Sequence, residues 1–180
     1  MPKVDQTIIQ IDEHPDNTLR ATARAVKKAE FGSKYLLDVI SAMKEALTRE
    51  HDGVAIAAPQ IDLPLRLFVL SERAYELKAK WKPLVFINPK ITKTSKKIEE
   101  MHEGCLSVRW IYGKTKRYSR VTLEAYDENG NKFSFGASGL ISQIFQHEEE
   151  HLDGILFIDE GYDFEEYTAE QVRNAEKTAS

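Results

Sequence analysis

The sequence predicts an α+β fold in which antiparallel strands pack around one central helix carrying a His-Glu-x-x-His pattern. Three observations predict it. An apolar stripe of helical period (Tyr35, Leu36, Val39, Ile40, Met43, Leu47) comes first and is followed by several short strand-type runs. The last two runs, 121–126 and 132–135, are joined by Asp127-Glu128-Asn129-Gly130, a hairpin signal that makes them antiparallel neighbours. Beyond them Leu140, Ile141, Ile144 and Phe145 recur at helical spacing in a segment closed by Gly154. A helix, a run of strands and then a helix laid on the sheet is the order of an α+β protein, not of repeated βαβ units.

The 180 residues suit one domain spanning 1–180, with about 160–180 as a C-terminal extension. A net charge of −4 argues against a broad nucleic-acid-binding face, and no nucleic-acid motif is present. No apolar run approaches the roughly 20 residues that span a bilayer, so no membrane association is expected. The opening Met1-Pro2-Lys3-Val4-Asp5-Gln6 lacks the apolar core of a signal peptide. A cytoplasmic location is therefore expected. The single cysteine, Cys105, leaves no intramolecular disulfide.

In chain order, 1–30 reads as an irregular arm with a loop at 12–17 and a short helix at 19–26. Ser33 caps the first good helix, which ends at Asp52-Gly53. The small residues of 53–60 mean that a packed helix or a ligand approaches this backbone closely. Strands follow at 65–70 and 84–87, the second closed by Asn88-Pro89. The Lys-rich segment 91–99 is an edge strand or solvated hairpin, and 103–107 interrupts the strand pattern. Ser138 caps the helix of Leu140 and Phe145, 155–158 reads as a short strand, and Thr168 caps a final helix.

His147 and His151 sit four residues apart, so both imidazoles leave one helix face and can bind one divalent metal. Glu148 can then reach a metal-activated water as general base. The alternative is a pair of surface histidines on an acidic helix. Two histidines do not complete a catalytic site, which needs a third protein ligand and an open position. Cys105 is the natural third ligand, and Gly104 beside it lets the backbone come close.

Three motifs stand in order: Gly53-Val54-Ala55-Ile56-Ala57-Ala58-Pro59-Gln60, Glu103-Gly104-Cys105-Leu106-Ser107, and Gln146-His147-Glu148-Glu149-Glu150-His151-Leu152-Asp153-Gly154. In these the chain resembles the peptide deformylases, over about 19–159. The resemblance implies removal of the N-formyl group from the initiator methionine of nascent chains, with release of formate. It implies one divalent metal ion, Fe²⁺ in the natural enzymes, replaceable by Zn²⁺ or Ni²⁺. Cys105, His147 and His151 would be its ligands, and Glu148 the general base and acid. Gln60 and the Leu106 N–H would hold the oxyanion. A formylated peptide would lie extended along Gly53, Val54 and Ala55 and beside Gly104. Val54, Leu140 and Ile144 would wall the methionine pocket, although Leu140 and Ile144 read equally well as core.

Four positions depart from the family pattern. Ala55 replaces a glycine and narrows the substrate groove, Arg109 replaces a proline, Tyr112 stands where many bacterial members have an arginine, and Glu150 replaces an aspartate. Arg117 matches a recurrent arginine of the family and is a candidate partner for Glu150, with a surface role the equal alternative. Some members dock on the ribosome through a basic C-terminal helix. Here 159–166 is acidic, with Arg173 and Lys177 the only strong positive charges of the tail, so at most a transient ribosome association is expected. The rivals are a metalloprotease, a metal-stabilised binding module, and a paralogue acting on another N-acyl group.

Overall fold

Ser33 starts the first helix by accepting a hydrogen bond from Leu36 N at its Oγ. In the computed structural model, which describes residues 4–11, 18–75 and 82–172, helix α1 runs Lys34–Arg49 and buries Leu36, Val39, Ile40, Met43 and Leu47. The strands are β1 (Ala55–Ala57), β2 (Leu67–Leu70), β3 (Val85–Thr94), β4 (Ile98–Cys105), β5 (Val108–Tyr118), β6 (Arg120–Tyr126), β7 (Lys132–Ser138) and β8 (Tyr162–Glu166). Helix α2 runs Gly139–Leu152 and a short α3 runs Phe157–Glu160. One sheet has the order β1-β2-β3-β6-β7 and the other β4-β5-β8, with every strand pair antiparallel. The fold is α+β.

Period-2 side-chain alternation divides the larger sheet between two helices. Ile56, Leu67, Val69, Val85 and Ile87 pack with α1. Phe68, Phe86, Leu123 and Ala125 face the other way and pack with Phe145 and Leu152 of α2. Phe86 meets Phe68 at 4.7 Å and Phe145 at 5.0 Å between ring centroids. The far side of α2 is polar and bonded to the smaller sheet. Gln146 accepts from Tyr118 N at 2.9 Å and donates to Tyr118 O at 3.0 Å, and Gln143 donates to His102 O at 2.7 Å. The helix is therefore clamped between an apolar and a polar surface.

Several expectations are corrected. Residues 19–26 form only a 3₁₀ turn at Thr18–Arg20. Beyond it the chain is tied to distant partners (Ala23 N to Leu152 O, Arg24 N to Pro64 O, Val26 N to Asn88 Oδ1), which replace the bonds a helix would make. β3 does not stop at Asn88-Pro89. Asn88 takes a φ of +49°, and the register shifts between Ile87 and Lys90 as the strand continues. Past that shift β3 pairs with β6 alone, and Glu149 caps Ile91 N at 2.9 Å. Residues 103–107 do not interrupt the strands but lie at the turn of the long β4–β5 hairpin. Residues 155–158 lead into α3 instead of a strand, because Asp159 accepts from Leu156 N at 2.9 Å and starts a helical turn. β8 occupies the stretch expected to be an acidic extension.

Gly154 ends α2 with a φ of +76°, as expected of a C′ glycine. Ser138 precedes α2 but its side chain makes no cap hydrogen bond. Thr168 does cap a helical turn, accepting from Gln171 N at 3.2 Å. The continuation of that helix, with Arg173 and Lys177, and the loop at 12–17 lie outside the described residues.

Replacing Phe145 by Ala should lower unfolding free energy by about 3–5 kcal/mol, the cost of emptying a large aromatic site. Urea denaturation measures this. A loss below about 1 kcal/mol would mean that the polar face alone holds α2.

Candidate active site and metal centre

α2 presents His147 and His151 with ring centroids 4.8 Å apart. The β4–β5 turn brings Cys105 to the same place, 46 residues earlier in the chain than His151, with Sγ 3.1 Å from His151 Nε2. Ser107 N also donates to this sulfur at 3.4 Å. The donor atoms of Cys105, His147 and His151 lie within 4.8 Å of one another and form the one such cluster found among the described residues. A thiolate and two imidazoles suit a borderline-soft divalent ion.

Orientation comes from a buried polar network. His147 Nδ1 lies 2.5 Å from Glu103 Oε1, which leaves Nε2 for the cluster. Glu103 also accepts from Arg117 Nε at 3.0 Å, from Arg117 Nη2 at 2.6 Å and from Thr115 Oγ1 at 2.7 Å. Arg117 reaches on to Glu150, the candidate partner that the resemblance offered, with Nη2 2.8 Å from Oε2, and it is buried, not at the surface. Burial works to raise the Glu103 pKa, but His147 and Arg117 outweigh it and hold this carboxylate well below the ordinary range. Burial pushes the His151 imidazole well below its usual value, and His147 adds to this, whereas Cys105 and Glu103 outweigh burial and push His147 the other way.

The three consecutive glutamates are not equivalent surface residues. Glu149 and Glu150 have the partners just named, whereas Glu148 is buried and its Oε2 has no hydrogen-bond partner among the described residues. His151 Nδ1 is the other such atom. Burial raises the Glu148 pKa to about 7, with Glu103 adding to it and His147 opposing. An orphaned carboxylate oxygen beside a sulfur–nitrogen donor cluster fits a metal with an exchangeable oxygen ligand.

The cluster opens onto a cavity of about 230 Å³. Gly53, Val54, Ala55, Gly104, Cys105, Leu106, Leu140, Ile144, His147 and Glu148 all line it. Leu140 is 49% exposed, so it belongs to the cavity and not to the core, while Ile144 is buried and serves both. Ala55 has no left-handed backbone, so its methyl costs no strain there. Gln60 is buried behind the cavity. Its Oε1 accepts from Ala57 N at 2.8 Å, which turns the amide nitrogen toward Ser107 Oγ at 3.2 Å and Cys105 Sγ at 3.7 Å. His151 is fully buried at the rear of the cluster.

Sequence reasoning missed Asp52, His102, Trp110, Ile111 and Gln143 among the lining residues. Gln143 had a signal, standing one helical turn before His147. Trp110 had none, because it enters through a distortion of β5.

Fold, donor cluster and orphaned carboxylate together define the class: a metal-dependent hydrolase. The model of the polypeptide deformylase family matches residues 8–166, and the chain belongs to that family, whose members remove the N-formyl group from the N-terminal methionine of nascent polypeptides. A peptide deformylase from Psychrobacter cryohalolentis is 39% identical over 155 residues, covering 84% of this chain and 78% of that one. The actinonin-bound crystal structure of class I type b peptide deformylase from Acinetobacter baumannii superposes with a TM-score of 0.75 at 30% identity, covering 87% of this chain and 97% of that one. A Met-Ala-Ser-bound structure of the same A. baumannii enzyme gives a TM-score of 0.75 at 29% identity, covering 87% and 99%.

Arg117→Met should destabilise the protein by about 3–5 kcal/mol, because it leaves two carboxylates without their cation. The sign of the pH effect follows from Glu103. A carboxylate with a depressed folded pKa stabilises the protein above its ordinary value of 4.5, and that stability is lost as pH falls toward the lower folded value. Wild-type stability in urea should therefore drop more steeply below pH 4.5 than that of Arg117→Met. Parallel profiles would show that Arg117 does not hold Glu103 ionised.

Proposed function

We propose that the chain is a single catalytic domain, working in the cytoplasm, that deformylates nascent peptides with the residues of this cavity. One divalent ion, Fe²⁺ naturally with Zn²⁺ or Ni²⁺ as substitutes, would be held by Cys105, His147 and His151. When bound, the ion supplies Lewis acidity that makes water a nucleophile at neutral pH. The protein supplies the remaining steps. Glu148 takes the proton from the attacking water and returns it to the departing nitrogen. A carboxyl group raised to about 7 has both states accessible near neutrality, as that shuttle requires.

Gln60 Nε2 and the Leu106 N–H donate to the oxyanion. The bond from Ala57 N to Gln60 Oε1 supports this, since it leaves only the amide nitrogen facing Cys105. Placed donors of this kind are worth about 3–4 kcal/mol each. The peptide backbone lies along Gly53, Val54 and Ala55, with Gly104 on the facing wall. Methionine enters between Val54, Leu140 and Ile144, which line the cavity. The Met-Ala-Ser ligand of the A. baumannii relative supports a peptide beginning with methionine as the occupant. Formate and a free amine leave. Any ribosome association is transient, because the segment Asp159, Glu160, Asp163, Glu165 and Glu166 repels RNA phosphates.

The carrying observation is the buried, unpartnered Glu148 Oε2 beside the three donors. Glu148→Gln should keep a full metal equivalent while formate release falls by about 10² to 10⁴. Near-wild-type release from a metal-loaded Glu148→Gln protein would sink the assignment. Cys105→Ala should lose the ion on dialysis, because two imidazoles one turn apart make a poor site alone. Metal analysis finding one ion per chain in that variant would remove Cys105 from the ligand set.

A further inference from the structure

Trp110 has a φ of +66°, a left-handed conformation that bulky residues avoid and that tends to be kept for a purpose. Its cause is local. Gly104 pairs with Tyr112 but the next residue, Cys105, pairs with Val108, so Arg109, Trp110 and Ile111 are extra residues on β5. Such bulges re-aim side chains, and all three residues line the cavity. Arg109 then bonds to the connection between α1 and β1. Nη1 donates to Asp52 Oδ1 and Oδ2 at 3.2 and 2.9 Å, and Nη2 donates to Glu50. Glu50 and Asp52 lie in the connection from α1 to β1, on the wall where the substrate backbone is placed. The same guanidinium lies over the Trp110 ring, 5.2 Å from its centroid, and Tyr167 N donates to Trp110 O at 2.8 Å.

We propose that Trp110, braced by Arg109 against Glu50 and Asp52, determines specificity for the residue after formylmethionine and selects an aromatic side chain over an acidic one. The inference rests on the deformylase reading. In an extended peptide successive side chains point to opposite sides. With methionine against α2 and the backbone along β1, the next side chain faces the bulge. The indole offers it a flat surface of the kind aromatic rings pack on. Arg109 cannot pair with an incoming carboxylate because it already serves two, and these three groups sum to one negative charge.

The test compares kcat/KM for formate release from formyl-Met-Phe-Ala, formyl-Met-Ala-Ala and formyl-Met-Asp-Ala by the metal-loaded enzyme. Wild type should rank Phe over Ala over Asp, with about tenfold or more between the extremes. Trp110→Ala and Arg109→Met should each compress the Phe-to-Ala ratio to within about twofold, whatever happens to the absolute rate. A second readout is binding: in Trp81→Phe, Trp110 is the only tryptophan, and its emission should shift with Met-Phe-Ala at lower concentration than with Met-Ala-Ala. No wild-type preference, or a ratio that survives in both variants, overturns the subsite while leaving deformylation intact. Absence of formate from all three peptides overturns the deformylase reading and the subsite with it.

Discussion

The structure depends on the buried contact between Glu103 and Arg117. Both side chains are almost wholly removed from water, where an isolated charge would be prohibitive. They persist because each is saturated: Arg117 by two carboxylates, Glu103 by Arg117, Thr115 and His147. A pair so buried seldom adds net stability over an apolar substitute. What it adds here is position. Glu103 belongs to β4 and His147 to α2, so one carboxylate ties the smaller sheet to the helix and also fixes which imidazole nitrogen faces Cys105.

That tie also explains the two-faced character of α2. A helix packed on a sheet by apolar contact alone can slide or rotate at modest cost. Phe145 and Leu152 anchor one side in the aromatic cluster of the larger sheet, while Gln143, Gln146, His147 and Glu150 dock the other through directional bonds. At the remaining position, Glu148, the side chain is buried and its Oε2 has no hydrogen-bond partner among the described residues. The chemistry is thus concentrated where the helix is held from both sides.

Much of this was legible in the sequence, for identifiable reasons. α1, the β6–β7 hairpin and α2 follow from local periodicity and turn chemistry, and both histidines from one helical repeat. Cys105 could be named because a lone cysteine beside such a helix is the natural third ligand, and Arg117 only because the family resemblance marks an arginine there. What stayed hidden depends on distant partners. Residues 19–26 have helical composition, but Leu152, Pro64 and Asn88 claim their backbone bonds. β8 is acidic and barely buried, and it is a strand only because β5 offers it an edge. The bulge at Trp110 leaves no mark in composition, since it arises from how two paired strands are counted against each other.

β8 has a practical side. The Tyr167 ring meets Tyr112 edge-on at 5.7 Å, and the Tyr112 ring lies where a side chain on Gly104 would be, 2.7 Å from the position its Cβ would take. Gly104 is bonded directly to Cys105. Two ring contacts and one peptide bond therefore connect Tyr167, just past the end of β8, to Cys105. For protein production, the C-terminal segment is not a neutral handle: an affinity tag or truncation that peels β8 away acts on the wall of the cavity that Tyr112 lines. A purification scheme that leaves the chain through residue 172 untouched keeps β8 paired with β5.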